Sequence, residues 1–83
     1  MKDENMNDTV GPYLYDLWNH TEHANRMVEG ARSAIERGNA ADALCDLRIA
    51  RSALERAMSE MRIAFEMVDA AARSAVAGER QRP

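Results

Sequence analysis

The chain has 83 residues, with 46% apolar residues, 30% charged residues and a formal net charge of −3. Fifteen of the apolar residues are Ala, and one Phe, one Trp and two Tyr are all the aromatics, so a monomer with a deep closed active-site pocket is excluded. Ten of the eleven basic residues are Arg, and charges of both signs alternate along the chain, which excludes the basic stripe that nucleic-acid binding needs. Four Gly and two Pro leave room for long helices, and the predicted class is all-α.

Residues 1–9 are polar and are expected to form a flexible N-terminal segment. Gly11-Pro12 suits a helix start, because proline's missing N–H is not needed in the first turn. From there Val10, Leu14, Leu17, Thr21, Ala24, Val28, Ala31 and Ile35 recur at alternating spacings of four and three, which is a heptad seam. Gly38 is placed to end this helix in a left-handed conformation. Asn39 is placed to cap the next helix, with Asp42 completing a box-like arrangement. A connection this short makes the two helices antiparallel neighbours.

The second helix carries Ala at every seventh residue: Ala43, Ala50, Ala57, Ala64 and Ala71. Leu47, Leu54, Met61 and Val68 alternate with them. Small residues let the helices approach closely. At ~1.5 Å per residue, a first helix over 12–37 spans ~39 Å and a second over 40–77 spans ~57 Å. Folding back at Gly38 pairs Ile35 with about Asp42, Val28 with about Ile49 and Leu14 with about Ile63. The second helix then outruns its partner beyond Phe65, although Met58, Met61, Phe65, Val68 and Ala72 keep an apolar face there. Burial of each large side chain contributes ~1.5–3 kcal/mol, so these five residues are expected to form a dimer interface. The fold expected is an antiparallel helical hairpin over 10–77, with a long second helix, dimerising into a four-helix bundle. Residues 78–83 are read as a flexible tail.

Chemistry is sparse. His20 and His23 share helix one with Asp16 and Glu22, but only Glu55 would face them from helix two, so no metal site is assigned. The serines are scattered, the glycines are isolated and Cys45 is a single thiol; no catalytic residue, cofactor or small-molecule substrate is expected. Arg and acidic residues form four-apart pairs: Glu22–Arg26, Arg32–Glu36, Arg51–Glu55, Arg56–Glu60, Arg62–Glu66 and Asp69–Arg73. Arg51 falls on the apolar line Leu44, Arg51, Met58, Phe65, Ala72, from which it can snorkel. The N-terminus has no signal-peptide pattern and no apolar run reaches membrane-spanning length; a cytoplasmic location is expected, with no membrane or nucleic-acid partner. The aromatic cluster is the best candidate for function: Tyr13, Tyr15 and Trp18, with Asp16 and Glu22 nearby, are the expected partner-binding residues.

The opening Pro12-Tyr13-Leu14-Tyr15-Asp16-Leu17-Trp18-Asn19, the turn into Ala41-Asp42-Ala43-Leu44 and the Ala-periodic second helix resemble the small helical-hairpin proteins of temperate Pseudomonas phages that act as quorum-sensing anti-activators. The resemblance spans 10–77 and implies a dimer, in the cytoplasm of a bacterial host, that binds host regulatory proteins. Those it implies are the DNA-binding domain of a LuxR-type quorum-sensing transcription regulator and a type IV pilus assembly ATPase. An anti-defence inhibitor, or a small structural or assembly protein with no regulatory target, are the alternatives.

Overall fold

A computed structural model of the protein describes residues 2–80, with side chains over 6–78. Two helices joined by a three-residue turn account for the described residues: α1 (Lys2–Glu36) and α2 (Ala40–Arg80). They fold against each other into a rod of 68 × 19 × 15 Å. Its radius of gyration is 19.0 Å, against about 12 Å for a compact domain of this length.

The turn is built from three residues. Gly38 has φ 77°; its N–H donates to Ile35 O at 2.9 Å, and the Asn39 N–H donates to Ala34 O at 2.8 Å. This pair of bonds is a Schellman termination, which satisfies carbonyls left free at the helix end. Asn39 then opens α2: its Oδ1 accepts the Asp42 N–H at 3.1 Å, and its Nδ2 donates to Asp42 Oδ2 at 2.9 Å. In the usual capping box the acidic side chain would take the cap's own backbone N–H. Here that N–H is already committed to Ala34, so Asp42 takes the side-chain amide instead.

The first helix begins ten residues earlier than the expected start at Pro12, and Pro12 lies inside it. An interior proline costs about 3 kcal/mol through its lost hydrogen bond and its ring clash. Two features offset this. Gly11 precedes it, and without a Cβ this residue escapes most of the crowding that a following proline imposes. Val10 is buried and Met6 half-buried, so the added turns bring apolar side chains onto α2. Where a flexible segment is expected over 1–9, the chain is helical from Lys2 onward. Contrary to the expectation that the second helix has no intrachain partner beyond Phe65, α1 runs alongside that half, because it starts at Lys2. At the other end α2 continues through Arg80, into the expected 78–83 tail, of which residues 81–83 lie outside the described residues.

Between the helices the contact is made of alanine. Among the described residues the buried set is Val10, Ala24, Ala31, Ala34, Ala43, Ala50, Ala53, Ala57 and Ala64, each 5% exposed or less. Ala24 packs with Ala50 and Ala53, beside a partly buried Met27, and Ala31 and Ala34 pack with Ala43. At Gly30 a Cβ would lie 2.7 Å from Asp46 Oδ2, so the glycine leaves room for the Asp46 carboxylate against α1.

The seam read from the sequence therefore splits in two. Each line of seventh residues on a helix has one neighbouring line at +3 and another at +4. In α2 the +4 line is Leu47, Leu54, Met61 and Val68; the +3 line is Asp46, Ala53, Glu60 and Met67. In α1 the +4 line is Leu14, Thr21, Val28 and Ile35; the +3 line is Tyr13, His20, Met27 and Ala34. Apolar spacing selects the +4 lines as interior. The hairpin instead turns its +3 lines inward, where Ala34 and Ala53 are buried and Met27, Glu60 and Met67 half-buried. Leu14, Val28 and Ile35, and with them Leu47, Leu54, Met61 and Val68, stand exposed.

Candidate protein-interaction surfaces

Helix spacing determines where these outward residues go. In an antiparallel pair the +4 lines of both helices flank the contact on the same side. Leu14, Thr21, Val28 and Ile35 of α1 therefore share one face of the rod with Leu47, Leu54, Met61 and Val68 of α2. A shallow groove on that face is lined by Leu17, Thr21, Leu54, Ala57, Met58 and Met61. The outer edge of the face continues over Leu44, Met58 and Phe65, the last two 69% and 65% exposed. All five residues expected at a dimer interface, Met58, Met61, Phe65, Val68 and Ala72, are exposed on this side. The large leucines around them belong to the same surface, which covers both helices and not one half of α2. A run of apolar side chains this long is far beyond the scattered exposed leucines of an ordinary surface.

The opposite face is polar. His20, His23, Arg48, Ser52 and Arg56 line a shallow cleft there together with Ile49 and Ala53. The two histidines are joined by no third ligand; among the described residues no group of three His, Cys, Asp or Glu could hold a metal ion. Cys45 is exposed.

The five residues expected to bind a partner do not form one patch. Tyr13 lies on the inward +3 line and is half-buried. Asp16 sits on the flank of α1 that carries His23, and is exposed. Tyr15, Trp18 and Glu22, spaced three and four apart, share the outer surface of α1. Tyr15 is 65% and Trp18 58% exposed, and Glu22 lies 3.9 Å from Arg26. Tyr15 points directly away from α2, whereas Trp18 stands at the margin of the apolar face, one turn from Leu14 and beside Thr21. The Thr21 hydroxyl donates to the Trp18 carbonyl at 2.8 Å, fixing that turn.

Of the expected four-apart ion pairs, Glu22–Arg26, Arg32–Glu36 at 3.8 Å and Asp69–Arg73 at 3.1 Å form, and Arg32 also reaches Glu29 at 3.7 Å. Among the described residues, Arg51–Glu55, Arg56–Glu60 and Arg62–Glu66 do not come within ion-pair distance. All three have the base N-terminal to the acid, the weaker orientation on a helix, which Arg32–Glu36 shares although it forms. Arg51 is thus left unpaired on the rim of the apolar face. No described helix is long and apolar enough to cross a membrane. No family model, curated protein or solved structure matches the chain.

Proposed function

We propose that the chain is a non-enzymatic protein-binding hairpin, a homodimeric four-helix bundle that docks on a host regulatory protein as an inhibitor or adaptor. The observation that carries this reading is the division of its apolar residues. Alanines are spent inside, while Leu47, Leu54, Met58, Met61 and Phe65 stand outside. An all-alanine contact contributes little burial, so the hairpin needs a second body to complete its core. Self-association satisfies that need and leaves the outer surface of α1 free, with Tyr15 and Glu22 at its centre and Trp18 at its edge. An exposed Tyr beside a half-shielded Trp suits an interface anchor, and Glu22 and Glu29 supply acids for a basic partner surface.

The resemblance to phage anti-activators names the partner to test first, the DNA-binding domain of a LuxR-type regulator, and after it a type IV pilus assembly ATPase. Purified protein, titrated into such a domain bound to fluorescent operator DNA, is expected to release the DNA. Tyr15→Ala is expected to weaken that release by roughly tenfold while light scattering returns an unchanged mass. Wild-type protein that leaves the DNA bound, or a Tyr15→Ala variant as potent as wild type, would refute the reading for this partner.

A further inference from the structure

Resting on the dimer reading above, we infer that the two copies pair with their turns at the same end, so that α1 of each lies on α2 of the other. Two symmetric arrangements bury the apolar face of both copies. In one the twofold axis runs along the rod, and α1 packs against the second copy's α2. In the other the axis crosses the rod, α2 packs on α2, and the turns lie at opposite ends. The partner is a second copy because the apolar side chains of this face run from Leu44 to Ala72, about 42 Å along α2. Across a rod 19 Å wide this is about 800 Å², one side of a standard stable interface.

Register decides between the arrangements. Ala24 packs with Ala50 and Ala53, Ala31 and Ala34 pack with Ala43, and Gly30 stands against Asp46. Residues whose numbers sum to about 76 therefore stand level. On that register the edge line of α1 (Gly11, Trp18, Asn25, Arg32) is level with the edge line of α2 (Phe65, Met58, Arg51, Leu44). With turns at the same end these two lines meet across the dimer. Gly11 then leaves room for Phe65, Trp18 covers Met58, and the unpaired Arg51 lies beside Asn25, between Glu22 and Glu29. With turns at opposite ends, Arg51 would instead face Phe65, near Arg62 of the second copy, and Glu22 and Glu29 would have no new base. Size and charge both favour the first arrangement.

Cys45 is the single thiol of the chain, is exposed and lies on the side of α2 away from the apolar face, so a nitroxide attached there leaves the interface untouched. Light scattering and double electron–electron resonance on the same labelled sample form the test. A dimer whose labels are less than roughly 35 Å apart is expected. Opposite-end pairing separates the labels by about 40 Å along the rod alone, and a distance beyond that overturns the arrangement while leaving the dimer standing. A monomer overturns both. As a second variant, Arg51→Glu puts a third acid between Glu22 and Glu29 and is expected to weaken dimerisation at least tenfold. Unchanged dimerisation by Arg51→Glu would also overturn the same-end pairing.

Discussion

At Gly38 the backbone takes a φ of 77°, a conformation that costs a side-chain-bearing residue about 1 kcal/mol or more. No atom lies within 4 Å of a Cβ built there, so Gly38→Ala isolates the backbone term. Its expected effect is a loss of about 1 kcal/mol in urea unfolding, with an unchanged m-value; a variant as stable as wild type would contradict the Schellman termination. Gly38, Asn39 and Asp42 are legible in the sequence because the turn's chemistry is local: each residue acts on neighbours within five positions. Tyr15 and Trp18 are legible as exposed aromatics for a similar reason, since three-apart spacing puts them on one helix surface. That Tyr13 turns inward depends on which line of α1 meets α2, and no local signal carries that information.

At the scale of the helices, the same ambiguity recurs along the whole contact. Ala43, Ala50, Ala57 and Ala64 mark the line of closest approach, and the sequence identifies it. Whether α1 settles on their +3 or +4 side depends on what covers the other side. Leu47 and Leu54 make the +4 side look interior, yet in the hairpin both are exposed; the proposed dimer is what would cover them. The +3 side pays for this choice with polar residues: Glu60 is half-buried, and its Oε1 is buried without a hydrogen-bond partner. A buried, unsatisfied oxygen costs ~1–3 kcal/mol. Glu60→Leu is therefore expected to stabilise the fold by about 1 kcal/mol, seen as a higher melting temperature by circular dichroism at fixed protein concentration. A lower melting temperature would show that this carboxylate is held by a favourable contact. The early start of α1 escaped the sequence for another reason. Pro12 is a strong local stop signal, whereas the burial of Val10 and Met6 that overrides it requires α2 to be in place.

For the whole molecule, a two-helix rod whose buried side chains, among the described residues, are alanines and one valine buries little apolar surface. Isolated helices draw most of their stability from a packed apolar face, and small folds without disulfides or metals commonly complete their core by association. In the dimer proposed above, the outward Leu47, Leu54, Met58, Met61 and Phe65 supply that core. Folding and self-association are one coupled equilibrium under this proposal, and the helical signal is expected to fall on dilution. Sedimentation equilibrium on the wild-type chain beside Leu54→Glu, which places a charge at the middle of the apolar face, decides whether the hairpin pairs. The wild type is expected at twice the 9.3 kDa chain mass. Leu54→Glu is expected to shift to the monomer mass, with loss of helicity at low micromolar concentration. A wild-type chain that sediments as a fully helical 9.3 kDa monomer would contradict the pairing.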